Sequence, residues 1–344
     1  MYDWINRVTR QVALGADTAL YFCENVNRTY QFKDPKRNLY SMQRNAAGWT
    51  IALLAATQLA LVACGGGSST ATAPIEEDTS FAGPFAVAIT GYDDHAMEPF
   101  ITRDGQHLLF NNRNDPAELT DLHIAARVND STFTYLGPLT TLNSATLDGV
   151  PAGTATGMTY FVSVRAYDAT FSTIHRATLT GATAGAPALV TSITTGGGGL
   201  LDFDVDVAAD GQSLMVARGQ FGGGGGIPSA ANFVLYEAVG AGFARSAASA
   251  ATLAAINTGG LNYAASTTAN GLELCFTRIG AANGGQPVIL VSRRATAASP
   301  WGTPQRVRGP IGFVEAGAWS PDARSLYYHA LVGGRFVIRR LTRD

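Results

Sequence analysis

Four carboxylates stand where facing acids could work on a sugar bond: Glu98, Asp204, Asp206 and Glu315, each in a short strand-like run ahead of a turn. Glycoside hydrolysis needs two such groups across the scissile bond, one giving a proton and one assisting attack from the other face. Arg113, Arg165, Arg218 and Arg278 recur just beyond the strands that follow those turns. There they could bind anionic groups or pair with the carboxylates. Asp93-Asp94-His95 offers mixed oxygen and nitrogen ligands and is the one weak metal candidate. The five histidines lack His-x-His or His-Glu-x-x-His spacing. His107, His123 and His175 fall on alternating strands, where a structural role is expected. No Gly-x-Ser-x-Gly elbow occurs, and Cys275, inside the alternating run Leu272 to Phe276, reads as a small buried hydrophobe. The glycine tracts 196–199 and 222–226 precede no Lys-Ser or Lys-Thr, so they read as loops and not as phosphate cradles. These residues complete no catalytic constellation and imply no cofactor.

The elements that must position them repeat. Turn residues Gly105, Gly157, Gly211, Gly271 and Ala323 recur at intervals of 52, 54, 60 and 52. In most copies Asp or Asn precedes the glycine, which takes positive φ while the neighbouring side chain bonds the local backbone. An apolar strand leads in, an alternating strand such as Leu108-Leu109-Phe110 follows, and a third strand such as Phe233-Val234-Leu235-Tyr236 comes after a polar gap. With a more variable fourth strand, each unit is a blade, and the repeat predicts an all-β β-propeller. From Phe85 to Asp344 there are 260 residues, or 52 for each of five blades; six blades would need a sixth motif, and none is visible. The last unit supplies only three strands. The Phe85 to Thr90 run, placed as outer strand of the last blade, would close the ring. First strands line the axis of such a ring, which would bring Glu98, Asp204, Asp206 and Glu315 to one tunnel.

The segments Glu98-Pro99-Phe100-Ile101-Thr102-Arg103-Asp104-Gly105 and Trp319-Ser320-Pro321-Asp322 resemble the Ser-Pro-Asp-Gly turns of TolB-type propellers with WD-like repeats. The resemblance covers roughly residues 85–344 and implies a non-enzymatic binding or scaffolding module for a protein or cell-wall polymer. The alternative is a carbohydrate-active enzyme or sugar-binding propeller that uses the tunnel carboxylates.

The N-terminal region carries an address. Met42-Gln43-Arg44 is a short positive segment, followed by the apolar run Ile51 to Ala56 and then Leu61-Val62-Ala63-Cys64. That layout is a secretory signal. Its last four residues resemble the lipobox of bacterial lipoproteins, which implies cleavage before Cys64 and lipid on its sulfur. The sequence thus divides into 1–41, expected to lie outside the native product, a signal peptide at 42–63, a flexible tether at 64–84 and the propeller at 85–344. Gly65 in place of Asp points to the outer membrane of a two-membrane cell. After Cys64 there are 17 basic and 22 acidic residues, a formal charge of −5, with no basic cluster beyond pairs such as Arg293-Arg294. Nucleic-acid binding, which draws on concentrated positive charge, is excluded on that ground.

Overall fold

A computed structural model describes residues 75–114, 119–222 and 227–344. The expected signal peptide, Cys64 and most of the expected tether lie outside the described residues. Within them the chain forms five small sheets, the blades of a propeller. Blade I holds Met97–Ile101, His107–Asn111, Leu122–Asn129 and Thr132–Pro138. Blade II holds Asp148–Gly153, Met158–Ser163 and Ile174–Thr180, with an outer strand split into Thr183–Ala184 and Ala188–Leu189. Blade III holds Leu200–Val207, Ser213–Gln220, Ala230–Val239 and Gly242–Arg245. Blade IV holds Leu261–Thr267, Glu273–Ile279, Pro287–Arg293 and Gln305–Val307. Blade V holds Val314–Trp319, Ser325–Val332 and Arg335–Thr342.

The ring closes as the sequence implies. Ala82–Ala86 pairs antiparallel with the last strand as the outer strand of blade V. The expected Phe85–Thr90 strand proves to be two. After Val87 the chain leaves blade V, and Ala88–Thr90 runs parallel to Thr132–Thr134 on the outside of blade I. One segment therefore stitches the last blade to the first. Paired backbone also begins ahead of Phe85, with Glu77–Asp78 parallel to Arg306–Val307 on blade IV.

Each blade is buried on both faces, so its strands read as near-continuous apolar runs with side chains alternating between neighbours. Leu108 and Phe110 pack toward blade V, against Tyr327 and Ile338, while Leu109 packs toward blade II, against Phe161. Comparable apolar clusters fill the interfaces between blades II and III, III and IV, and IV and V. Cys275 belongs to the last of these, fully buried with its thiol donating to the Gly317 carbonyl at 2.9 Å.

The Asp-Gly turns work as their sequence suggests. Asp104 accepts the Thr102 hydroxyl at 2.6 Å and the Gln106 N–H at 3.0 Å, and Asn270 and Asp322 repeat the arrangement. The residue after each is left-handed, φ 72° at Gly105 and 57° at Ala323. Ala323 holds that conformation against its β-carbon, a local cost that Gly avoids.

Candidate functional site

All five innermost strands carry a bulge, and its form decides what faces the axis. Register shifts fall between Met97 and Phe100, Gly149 and Ala152, Asp202 and Asp204, Tyr263 and Ser266, and Glu315 and Ala318. In four of them a non-glycine residue is left-handed: Glu98 (φ 50°), Val150 (56°), Ala264 (54°) and Ala316 (55°). This conformation is costly for a β-branched or long side chain and persists only where the surroundings fix it. Here the fold fixes it blade by blade, so the strain at Glu98 is architectural.

The surroundings that fix it are side chains of the preceding blade. The Glu98 N–H donates to His329 Nδ1 at 3.2 Å, Val150 to Asn111 Oδ1 at 3.1 Å and Ala316 to Thr277 Oγ1 at 3.0 Å. The Asp204 carboxylate accepts the N–H groups of Ala264 and Ala265. Each bulge thus turns a backbone donor toward its neighbour and a polar side chain meets it, satisfying a group that burial would otherwise penalise. Replacing Thr277 by the near-isosteric Val leaves the Ala316 donor unpaired and should cost about 1–3 kcal/mol in urea unfolding. The same change at exposed Thr183 should cost nothing measurable.

The bulge residues of the five blades line a small axial cavity of about 30 Å³, room for a water or two. Its end on the side of the Asp-Gly turns is stoppered. Arg103, in the first such turn, crosses the axis and donates to the carbonyls of Gly153, Val207 and Thr267 at 3.0–3.2 Å, the ends of three innermost strands. Its guanidinium also stands 4.0 Å from Asp206, which accepts the Thr267 N–H and hydroxyl. Arg103 thus makes the tunnel a cup, closed on the side of the Asp-Gly turns.

On the side away from Arg103 sit Glu98, Glu315 and Asp204, all buried, at 9%, 5% and 3% exposure. Glu315 accepts the Tyr263 hydroxyl and faces His329 Nε2 at 3.3 Å. Glu98 bonds the side chain of Asn114. Burial is the main influence on Glu98 and pushes its pKa up to about 8; the charges of Asp204 and Glu315 add to the rise while His329 opposes it. Burial also raises Asp204 well above the usual carboxylate range. Asp206 rises to about 6, restrained by Arg103. With its pKa raised in this way, Glu98 favours the protonated form near neutral pH, the form a general acid needs.

The four carboxylates singled out in the sequence are therefore brought to one axis, with distinct tasks. Asp206 and Asp204 tie blade III to blade IV, while Glu98 and Glu315 remain toward the mouth. Three of the arginines take partners other than these carboxylates. Arg165 bonds Asp148, Arg218 bonds Asp202 at 2.7 Å, and Arg278 bonds Asn262 at 2.7 Å, each a tie within its own blade. Arg113 lies half-buried on the mouth-side loop of blade I, its carbonyl accepting the Thr120 hydroxyl at 3.1 Å. The Asp93-Asp94-His95 loop is organised by hydrogen bonding: Asp94 accepts the His95 N–H and His95 Nδ1 accepts the Phe336 N–H. Among the described residues no three His, Cys, Asp or Glu side chains group as metal ligands.

Sequence reasoning passed over His329, Tyr263, Asn114 and Arg103. For His329 a signal existed, since it lies two residues from Tyr327 and so on the face turned toward blade I.

No family model and no curated protein matches the chain. Solved structures do. A family 62 α-L-arabinofuranosidase catalytic domain from Coprinopsis cinerea is 14% identical, with 79% of this chain and 98% of that chain covered and a TM-score of 0.51. Zg3597, a family 117 glycoside hydrolase from Zobellia galactanivorans, is 12% identical over 77% and 90%, also at 0.51. TolB from Acinetobacter baumannii is 17% identical over 70% of this chain and 53% of that one, at 0.39, so the chain spans about half its length. At these identities the likeness is one of fold: the chain is a five-bladed β-propeller.

Proposed function

We propose that this chain is a carbohydrate-active propeller of the cell envelope, held to the outer membrane by lipid on Cys64, with its site at the mouth of the axial cup. The observation that carries the reading is the placement of Glu98 and Glu315 on adjoining blades beside the axis, Glu315 held by Tyr263 and His329 and Glu98 raised in pKa by burial. Glu98 gives its proton to the leaving oxygen as the glycosidic bond breaks, while a water attacks the sugar carbon and gives its proton to Glu315, which Tyr263 and His329 orient. The carboxylates Glu98, Asp204 and Asp206 and the hydroxyl of Ser266 lie in an otherwise apolar lining that includes Val150, Pro151, Ala264 and Ala316.

A second reading, a binding or scaffolding module for an envelope protein or cell-wall polymer, draws on the size of the cavity. About 30 Å³ admits water and not a sugar ring. On the first reading the ring rests above the mouth, with its scissile oxygen toward Glu98 and the attacking water toward Glu315.

Assaying the purified chain against a panel of aryl glycosides and a glycan array separates the two. The expected result is aryl release from one sugar class, with kcat lowered roughly 100-fold or more by Glu98→Gln. Glycan binding without turnover would transfer the site to a binding module. Neither binding nor turnover would overturn the carbohydrate reading.

A further inference from the structure

Blade IV leaves part of its outer edge open. Its fourth strand, Gln305–Val307, is three residues long and, of the third strand, meets only Leu290 and Val291, so the mouth-side end of Pro287–Arg293 is uncovered. The chain then swings out through Gly309-Pro310-Ile311-Gly312, both glycines left-handed (φ 116° and 82°), before entering blade V at Val314. Between these segments lies a cavity of about 200 Å³, much larger than the axial one.

Its chemistry is two-sided. The floor is apolar, formed by Val288, Val307 and Val314, all buried. The rim carries Asn283, Gln286 and Arg306. Arg306 is exposed and forms no ion pair among the described residues, neither with Glu77 opposite it in register nor with any other acid. Beside the cavity, Ile311 is 89% exposed, the most exposed large hydrophobic side chain of the described residues.

We propose that this cavity takes the C-terminal residue of a peptide. An apolar side chain fills the floor, the free carboxylate bonds the Arg306 guanidinium, and the amides of Asn283 and Gln286 meet the last peptide group. The amides of Asn283, which also donates to the Arg278 carbonyl at 3.4 Å, and of exposed Gln286 can bond a peptide group, whereas an acyl chain offers them nothing. The volume lies below the ~300–1,000 Å³ of drug-sized sites and suits a single residue. Ile311, on its glycine-flanked loop, offers contact to the preceding side chain. The proposal is independent of the carbohydrate reading and of the axial carboxylates.

The test is fluorescence anisotropy of a labelled tripeptide ending in leucine, with the full chain in detergent. Its C-terminal amide and decanoate serve as comparators. Arg306→Gln and Ile311→Ser change exposed positions and leave the core intact. Saturable binding is expected, weakened about tenfold or more by Arg306→Gln and by amidation, reduced by Ile311→Ser, and resistant to decanoate. Absence of saturable binding, equal binding of acid and amide, indifference to either substitution, or displacement by decanoate would each overturn it.

Discussion

Glu98→Gln is expected to raise the stability of the folded chain at mildly alkaline pH and to make its pH dependence shallower. In the folded protein the Glu98 pKa of about 8 stands above its ordinary value of 4.5, because burial disfavours the charged form. The unfolded chain therefore releases a proton that the folded chain keeps. The stability contributed by this protonation is fully present below about pH 4.5 and is lost as pH rises through about 8. At roughly 1.4 kcal/mol for each unit, the whole swing approaches 5 kcal/mol. Glutamine keeps the shape and the hydrogen bonding without titrating. Asp204 and Asp206 are raised as well and remain in the variant, so the slope shrinks and does not vanish. Urea midpoints at about pH 5 and about pH 8 read the effect. Parallel profiles for the two proteins would show that Glu98 is charged throughout.

Arg103→Met should be the most damaging single change in the ring. The side chain is 5% exposed and ties blade I to the innermost strands of blades II, III and IV through three carbonyls, with Asp206 alongside. Removing it uncovers three buried acceptors and withdraws the one cation beside Asp206 among the described residues, a loss of about 3–5 kcal/mol. Adding Asp206→Asn should recover part of that loss, because the orphaned carboxylate goes with it. A deficit under about 1 kcal/mol, or no recovery in the double variant, would mean that the stopper contributes little.

Much of this fold could be read from the chain. The near-equal spacing of Gly105, Gly157, Gly211, Gly271 and Ala323 marks a backbone requirement, since each position is left-handed in the structure. Alternation in the second and third strands marks burial on both faces. The missing fourth strand of the last blade pointed to closure by the N-terminal segment, which the pairing of Ala82–Ala86 with Arg335–Thr342 bears out.

The site was legible in part. That first strands line the axis was enough to gather Glu98, Asp204, Asp206 and Glu315. Their separate tasks were not legible, because the bulge changes which side chains share a face partway along each strand. In four blades the left-handed position of the bulge is not a glycine but Glu, Val, Ala and Ala, and Glu98, Val150 and Ala316 are held there by partners on another blade. Arg103 offered no signal, since an arginine in a polar turn ordinarily lies in solvent. The partners of Arg165, Arg218 and Arg278 were misjudged for a related reason. Pairing within a blade brings them to Asp148, Asp202 and Asn262, and keeps them from the axis.

The account rests most heavily on a proton held by Glu98 at the mouth of the cup. Carbon-13 NMR titration of the side-chain carboxyls, with the Glu98 signal assigned by its loss in Glu98→Gln, measures that proton directly. The account predicts a carboxyl that titrates near pH 8 and disappears in the variant. A Glu98 signal titrating near the ordinary glutamate value would contradict it, and with it the assignment of Glu98 as the proton donor.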